Sequence, residues 1–388
     1  MTRQIVDLTD EQARRSLVLK WGSVPADVLP AWVAEMDYQV DPVVMSAVRQ
    51  ALEDGVTGYP DFDSDLGPNH LSHAYAGFAQ RHFDQLVEPA WVLPVSDVTM
   101  GARVLIDVFS ERAPVVFPTP GYNAQHGLAQ VTGREQWDLP IDPDAARAEI
   151  DLDHLDALLS KGARTLLLTQ PHNPWGRAFT RFELEGIRDV VLRRGARVVS
   201  DEIHAPLVLP GATHVSYLDI EGTHDHACAV VAASKAFNTA GLRCAQMIVP
   251  RAADRTKLLA EPLSRNDSWS PLGVIAAVAA YSQGDEWLAS LIERLDAQRS
   301  LFAALLSTQL PLARMRPLEA SYLAWVDLRA YGHEDPSAVA LERGRVKVST
   351  GQSYAPGLPG HVRVNIATSP SRLTEVVRRL ATIAEVSP

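Results

Sequence analysis

The chain has 388 residues, of which 46% are hydrophobic and 21% are charged, a composition typical of folded globular proteins and unlike that of long disordered segments. Its 36 basic and 47 acidic residues give a formal net charge of -11 at pH 7, so nucleic acid and anionic membrane surfaces are poor partners for it. The length favours two domains, or one large domain with an appendage, over a single small core.

The N-terminal stretch MTRQIVDLTDEQARRS contains an Arg pair without an apolar segment after it. We therefore expect neither a Sec nor a Tat signal, and we place the protein in the cytoplasm, without membrane partners. The most membrane-like run, LGVIAAVAAY at 272–281, has about half of the residues that a bilayer-spanning helix needs. Cys228 and Cys244 lie in apolar surroundings, which predicts reduced, buried thiols rather than a disulfide or a metal site.

Short β-rich runs alternate with helical runs through the middle of the chain. PVVFPTPGY precedes the helix-like NAQHGLAQVTG, ARTLLLTQPHNP precedes TRFELEGIRDVVLRRG, and ARVVSDEIHAPLV and ACAVVAASKAF follow. This alternation predicts an α/β fold with a mostly parallel central sheet flanked by helices. FELEGIRDVVLRRG has apolar residues at helical spacing, with Thr180 as the expected N-cap and Gly195 as the expected C-cap.

The C-terminal third has a different pattern. From about residue 285, EWLASLIERLDAQRSLFAALLSTQL predicts a long amphipathic helix, ASYLAWVDLRAYG, RVKVSTGQSY and HVRVNIATS predict strands, and SRLTEVVRRLATIAEV predicts a last helix. We therefore predict a large domain over residues 46–283. A smaller α+β domain is expected from the N-terminal arm, residues 1–45, together with residues 284–388.

Four polar residues, Asn173, Asp201, His204 and Lys235, each follow an apolar run. Ligands of open α/β sheets bind at the carboxyl ends of the strands, so these residues are expected to converge there. Lys235 is the most unusual, because a buried ammonium costs several kcal/mol unless it is paired or loses its proton. A lysine pushed toward neutrality is a nucleophile and a base, which makes this position a candidate active site.

Pyridoxal 5'-phosphate (PLP) would use such a set of groups, because it carries an aldehyde, a pyridine nitrogen and a phosphate. Lys235 would form the Schiff base, and Asp201 would keep the ring nitrogen protonated. Asn173 and His204 would face the ring hydroxyl or its surroundings. Tyr122, in PTPGYNA, could lay its ring on the face of the cofactor.

Two features could hold the phosphate. Arg243, eight residues after Lys235, offers a guanidinium fork. SDVTMGARVLIDVF is expected to turn into a helix at Gly101, and the N-terminal amides of that helix would form an anion-binding cup. Taken singly, such residues are more often caps, turn aromatics or ion-pair partners. HDH at 224–226 lies in a predicted loop, where solvated histidines are more common than metal ligands.

The ordered set HNPWGR, SDEIH and SKAFNTAGLR resembles the fold-type I PLP enzymes, the aspartate aminotransferase-like superfamily. AWVAEMDY at 31–38, GYPDF at 58–62, DEIHAPLV, SYLAWVDLR and HVRVNIATS look like the MalY/PatB group of cystathionine β-lyases and related C–S lyases. The resemblance runs from about residue 17 to the C-terminus. It implies a PLP-binding large domain.

The resemblance also implies roles for individual residues. Lys235 matches the Schiff-base lysine, Asp201 the partner of the pyridinium nitrogen, Asn173 the partner of the ring hydroxyl, and Tyr122 the stacking aromatic. Arg363 matches the arginine that grips the substrate α-carboxylate. The further cofactor-binding residues would be His204, Gly101, Ala102, Ser234, Arg243 and Tyr59, and the substrate side would include Tyr354, Asp37 and Tyr38. Tyr59 would reach the phosphate from the neighbouring subunit, which implies a homodimer with shared active sites.

The chain departs from the pattern of the group at several positions. Ala232 stands where the group often has a serine that helps to hold phosphate, so Ser234, Arg243 and the amide cup would have to suffice. GQSYAPG carries Tyr354-Ala355 in place of an aromatic-glycine pair, and HVSYLD replaces the more usual Pro-Phe. The last two changes lie on the substrate side, so they affect the identity of the substrate rather than that of the cofactor.

The function that these residues predict is α,β-elimination of cystathionine or another S-substituted L-cysteine to a thiol, pyruvate and ammonia. An aminotransferase would use the same residues. An enzyme of secondary metabolism acting on a cysteine conjugate, by elimination or by decarboxylation with oxidative deamination, is a further alternative. A purely regulatory, protein-binding role is disfavoured by the intact set of catalytic side chains.

Overall fold

The computed structural model describes residues 3–60 and 68–385 of the chain. The motif at 58–62 therefore extends beyond the described residues at its last two positions. Within the described ranges the α-helices are α1 (Asp10–Ser16), α2 (Pro42–Glu53), α3 (Pro68–Phe83), α4 (Val98–Phe109), α5 (Leu128–Val131), α6 (Leu152–Ser160), α7 (Arg181–Arg194), α8 (Ala252–Leu259), α9 (Pro271–Gln283), α10 (Asp285–Gln309), α11 (Pro336–Gly344) and α12 (Pro370–Leu380). The strands are β1 (Leu29–Pro30), β2 (Val92–Val95), β3 (Val115–Thr119), β4 (Gln136–Pro140), β5 (Thr165–Thr169), β6 (Arg197–Asp201), β7 (Ala227–Val231), β8 (Ala245–Ile248), β9 (Leu323–Asp327), β10 (Val346–Lys347), β11 (Ser349–Thr350) and β12 (His361–Asn365).

The largest sheet has the strand order β2-β8-β7-β6-β5-β3-β4. Its neighbours from β7 through β4 are parallel, whereas β8 is antiparallel to both β7 and β2. β5, with the sequence TLLLT, is buried along its whole length, as expected for a strand that is covered on both faces. The predicted α/β fold with a mostly parallel sheet flanked by helices is confirmed.

The two faces of this sheet contribute to different parts of the core. Leu167 and Val199 belong to the same apolar cluster as the buried residues of α4. Leu166 and Val198, one residue away on the same strands, belong to the larger cluster on the opposite face. On the first face α4 lies against β6, β7 and β8.

The register of β5, β6 and β7 determines where the site forms. Thr169 at the end of β5 pairs with Asp201 at the end of β6, and Asp201 pairs with Val230 near the end of β7. The chain segments that follow these strands therefore leave the sheet at one edge. This is the edge at which open parallel sheets bind ligands.

A second, smaller antiparallel sheet has the order β11-β12-β9, and β1 pairs in parallel with β10. The N-terminal arm thus adds a strand next to the C-terminal third of the chain. α10 packs against α12 beside this region. The division into domains at residues 46–283, 1–45 and 284–388 stays a prediction.

The predicted helices α7 and α10 are confirmed, together with the caps of α7 and the start of α10. α7 has a capping box between Thr180 and Glu183, and it ends at Gly195 in the left-handed conformation with φ 60°. α10 extends over 25 residues from Asp285. NAQHGLAQVTG differs from the prediction of one helix, because it folds into a single 3-10 turn and the four-residue α5, separated by Gly127 at φ 85°.

The two cysteines are buried free thiols, as predicted. Burial raises the pKa of Cys228 and of Cys244 to about 12. Within the described ranges, none of the helices combines the length and the apolar character needed to cross a membrane.

Candidate active site

A cavity of about 400 Å³ opens at the carboxyl ends of the central strands. Seven residues predicted for the site line this cavity, namely Tyr122, Asn173, Asp201, His204, Ser234, Lys235 and Arg243. They come from segments after β3, β5, β6 and β7 and from the turn before β8. The structure therefore brings together residues that are up to 121 positions apart in sequence, from Tyr122 to Arg243.

Lys235 lies four residues beyond the last residue of β7, Val231. Its Nζ donates a hydrogen bond of 3.1 Å to the backbone oxygen of Ala34, a neutral acceptor. The pKa of Lys235 is lowered to about 8, because burial and the nearby positive charge of Arg363 lower it more than Glu35 and Asp201 raise it. The half-buried amine thus has no carboxylate in hydrogen-bond contact among the described residues.

Asp201 is the last residue of β6, and its side chain accepts hydrogen bonds from two groups of the chain. Gln125 donates from Nε2 to Oδ2 at 2.5 Å, and the backbone N–H of Ile203 donates to Oδ1 at 3.1 Å. Thr169 in turn donates from its hydroxyl to Oε1 of Gln125 at 3.3 Å. Burial raises the pKa of Asp201 to about 6, although these donors and the charge of Lys235 act in the opposite direction. At neutral pH the site therefore contains a buried carboxylate in a fixed orientation.

His204 follows Asp201 and lines the same cavity. Its Nδ1 is buried and has no hydrogen-bond partner within the described part of the chain. Burial, together with the charges of Lys235 and Arg363, lowers the pKa of His204 to about 3. The imidazole is therefore neutral at physiological pH, and its Nδ1 can donate a hydrogen bond to a ligand or accept one from it.

Arg363 on β12 reaches this site from the smaller sheet. Its Nη1 donates to Oδ1 of Asn173 at 3.3 Å, and its Nη2 donates to the backbone oxygen of Trp32 at 2.9 Å. The guanidinium lies 4.8 Å from the ring centroid of Tyr354, which packs edge-on against Trp325. Arg363 is thus fixed next to a residue that lines the cavity, and the aromatic layer behind it limits its rotation.

The end of the cavity next to α4 differs from the prediction. α4 begins at Val98 with Asp97 as its N-cap, so the prediction of a helix start at Gly101 is wrong. Val98 and Thr99 supply the first amides of the helix and line the cavity, whereas Gly101 and Ala102 are buried inside the first turns. Asp97 is the N-cap because its carboxylate accepts the backbone N–H of Met100 at 2.8 Å. Gly101 has no side chain that could accept such a bond.

Gly101 has a packing role instead. A Cβ at this position would be 2.9 Å from Cγ1 of Val230 and 3.2 Å from Cγ1 of Val95. The glycine thus allows α4 to approach the sheet closely. Neither Gly101 nor Ala102 lines the cavity, and the phosphate-binding role implied for them stays a prediction.

Asp37 and Tyr38, implied for the substrate side, do not line the cavity. Asp37 is buried in an ion pair with Lys20 at 2.8 Å and accepts the indole N–H of Trp21 at 2.7 Å. The hydroxyl of Tyr38 donates to the backbone oxygen of Thr368 at 2.9 Å. Asp37 is therefore engaged within the N-terminal arm, and Tyr38 ties the arm to the segment after β12.

Tyr59 is 93% exposed and does not line the cavity of its own chain, so a role at the phosphate would require a second subunit.

His226 is buried rather than solvated, and its Nε2 lies 3.2 Å from the hydroxyl of Tyr217. The expectation of solvated histidines at 224–226 is wrong for His226, because this side chain contacts Tyr217 in the 3-10 turn at 217–219, which packs against β7.

The groups in the cavity fit PLP. The chain offers a half-buried amine with a lowered pKa, a buried carboxylate, a neutral imidazole with an unpartnered nitrogen, and helix N-terminal amides beside an arginine. These are the groups needed for the aldehyde, the ring nitrogen, the ring substituents and the phosphate, respectively. Lys235, Asp201, His204, Val98 and Thr99 would provide most of these contacts.

Sequence reasoning missed two residues that shape the site, Gln125 and Asp97. Gln125 is 1% exposed in the structure, but the sequence contains no signal that marks it. Asp97 could have been found from its position, because an Asp directly before the helical run VTMGARVLIDVF is a preferred N-cap.

The chain is similar to known proteins in both sequence and fold. The model of the family described as aminotransferase class I and II matches residues 32–380. The cystathionine β-lyase of Corynebacterium glutamicum is 34% identical over 96% of this chain and 98% of its own length, and the cystathionine β-lyase PatB of Bacillus subtilis is 33% identical over 91% and 92%. A crystal structure described as a candidate PLP-dependent β-cystathionase of Corynebacterium diphtheriae superposes with a TM-score of 0.92 at 32% identity, covering 98% of this chain and 99% of that one.

Proposed function

The chain belongs to the aminotransferase class I and II family, in its MalY/PatB-like cystathionine β-lyase group, and from this premise we propose that it is a PLP-dependent C–S β-lyase. The proposed reaction is the α,β-elimination of cystathionine or another S-substituted L-cysteine. The observation that carries this proposal is one cavity lined by Lys235, Asp201 and Asn173, with Arg363 held 3.3 Å from the side chain of Asn173. These groups can bind an amino acid by its carboxylate next to a base.

Bound PLP supplies the aldehyde that captures the substrate amine and the electron-poor ring that stabilises negative charge at Cα. Lys235 and Asp201 would hold the cofactor through the aldehyde and the ring nitrogen, and His204 and Asn173 would contact the ring substituents. The carboxylate of Asp201 faces the cavity with Gln125 and Ile203 fixing both of its oxygens. A fixed negative charge at this point favours a protonated ring nitrogen without any reorganisation during the reaction.

Arg363 would bind the α-carboxylate of the substrate through its guanidinium fork. Its contacts with Asn173 and the backbone oxygen of Trp32 fix the plane of the fork. The substrate is thereby held in one orientation relative to Lys235, which is a contribution of positioning rather than of acid–base chemistry.

Lys235 would act as the base that removes the proton from Cα. Burial keeps the pKa of its amine near 8, so a large fraction is neutral at slightly alkaline pH. Loss of the Cα proton is followed by cleavage of the bond between Cβ and sulfur, and the sulfur leaves as a thiolate. The released enamine then takes up water, giving pyruvate and ammonia.

We further propose a homodimer that works in the cytoplasm. Tyr59 supports the dimer, because a tyrosine that is 93% exposed in one chain is accessible to a second chain. Sedimentation velocity of the purified protein tests this proposal, and a species of 42.4 kDa, the mass of one chain, would contradict it.

The lyase proposal is tested with PLP-loaded protein, cystathionine and an S-alkyl-L-cysteine, in the absence of any 2-oxo acid. We expect stoichiometric thiol and pyruvate from the wild-type protein and from Lys161→Ala, which removes an exposed lysine. Lys235→Ala should lose the activity together with the visible absorbance of the bound cofactor. Turnover that requires a 2-oxo acid would instead assign the protein as an aminotransferase.

A further inference from the structure

The end of the cavity that would take the cofactor phosphate already contains a carboxylate of the chain. Asp97 caps α4 through Oδ1, which accepts the N–H of Met100 at 2.8 Å. Its Oδ2 lies 2.8 Å from Nη2 of Arg243. Asp97, Arg243 and Lys235 all line the same cavity.

Asp97 therefore uses two of the groups that attract an anion at this end. One is an amide in the first turn of a helix, where the helix dipole favours negative charge. The other is the guanidinium that stands at this end of the cavity.

We propose that Asp97 weakens the binding of a phosphorylated ligand in this cavity by competing for Arg243 and by placing a negative charge beside the phosphate. This inference rests on the proposed function, since the phosphate in question is that of PLP. Its consequence is a cofactor that exchanges with the solution pool instead of remaining permanently bound.

The charge of Asp97 can be separated from its capping role. Asparagine is as good an N-cap as aspartate, so Asp97→Asn keeps the start of α4 and removes the negative charge. The side chains of Asp97 and Arg243 are 32% and 54% exposed, so solvent screens the repulsion to a moderate size. For one charge near a phosphate at the high effective dielectric constant of such a site, we expect about a tenfold change in the dissociation constant.

The experiment compares the binding of PLP and of pyridoxal, which lacks the phosphate, to the cofactor-free full-length protein by absorbance titration. Asp97→Asn should bind PLP about tenfold more tightly than the wild type does, with an unchanged dissociation constant for pyridoxal. Asp97→Ser, which also keeps a capping oxygen, should behave in the same way. Asp151→Asn is the matched control, because Asp151 caps α6 through the N–H of His154 at 2.9 Å, outside the residues that line the cavity.

The outcomes separate this inference from the proposed function. Unchanged or weaker PLP binding by both Asp97 variants would overturn the inference, while leaving the PLP site intact. Equal tightening for PLP and pyridoxal would also overturn it, because the effect would then not involve the phosphate. Failure of the wild type to bind either ligand would refute the cofactor assignment itself, and the inference with it.

Discussion

Asp201 offers a test in which the stability and the function of the protein should change in opposite directions. We predict that Asp201→Asn stabilises the cofactor-free protein at neutral pH and at the same time weakens PLP binding. Asparagine has the same shape, and its oxygen can still accept the N–H of Ile203, which donates to Asp201 at 3.1 Å. Gln125 can turn its amide so that its oxygen accepts a hydrogen bond from the new NH₂ group.

The size of the effect follows from the pKa. Burial raises the pKa of Asp201 from 3.8 to about 6 in the folded protein. For a carboxyl group whose folded pKa is raised, the favourable contribution to stability is fully present below the unfolded pKa and is lost as the pH rises through the folded pKa. The charged Asp201 therefore destabilises the folded chain by about 3 kcal/mol at pH 7.5, and by about 1 kcal/mol at pH 4.5.

The asparagine variant lacks this pH-dependent penalty. For a chain of this length, about 3 kcal/mol corresponds to a rise in Tm of about 4 °C at pH 7.5, and the rise should shrink to about a third of that at pH 4.5. Calorimetry of the cofactor-free forms measures both values, and PLP titration measures the loss of affinity. Asp219→Asn is a suitable comparison, because burial also raises the pKa of Asp219 to about 6 outside the cavity lining. That variant should show the same pH-dependent gain without any change in PLP binding.

A lower Tm for Asp201→Asn at pH 7.5, or an equal shift at both pH values, would refute this reasoning. The first result would mean that the carboxylate is stabilised by its hydrogen bonds more than it is destabilised by burial. The second would mean that the change in stability does not come from ionisation.

Three further changes probe the neighbouring structure. Arg363→Lys should lower kcat/KM about 100-fold, mainly through KM, because lysine cannot replace a planar two-pronged contact; steady-state kinetics with unchanged KM would contradict the carboxylate role. Gln125→Leu removes a donor to Asp201 and should raise the pKa of that carboxyl group, moving the acid limb of the pH–rate profile to higher pH, and an unshifted profile would show that Gln125 does not position it. Gly101→Ala puts a Cβ 2.9 Å from Cγ1 of Val230 and should destabilise the protein by about 1–3 kcal/mol, so an unchanged melting temperature would show that α4 can move away from the sheet.

The sequence was sufficient to predict the parts of the site that follow from strand order. Asn173, Asp201 and Lys235 each follow an apolar run, and parallel strands in register bring such residues to one edge of the sheet. Arg363 was assigned only through the resemblance to a known family, since it comes from the smaller sheet. No pattern in a single sequence connects it to Asn173, which is 190 positions away.

The residues that were missed or misplaced depend on side-chain contacts between distant segments. Gln125 is 76 positions from Asp201, and a glutamine in a short 3-10 turn has no local feature that marks such a partner. The start of α4 was misplaced because Gly101 was interpreted as a turn. Glycine is required at position 101 because α4 approaches Val230 closely there, and this approach depends on how the helix packs on the sheet.

Two lysines of this fold, the buried Lys20 and the half-buried Lys235, differ in how their charges are compensated. Burial lowers the pKa of both Lys20 and Lys235. Lys20 is paired with the carboxylate of Asp37 at 2.8 Å and also donates to the backbone oxygen of Glu35 at 2.9 Å, so its charge is compensated where it lies. Lys235 contacts the neutral oxygen of Ala34, although Asp201 lines the same cavity. Since the chain pairs a buried lysine with a carboxylate at one site, the absence of such a pair at Lys235 among the described residues is best explained by a reactive amine, whose partner is a bound molecule rather than a side chain.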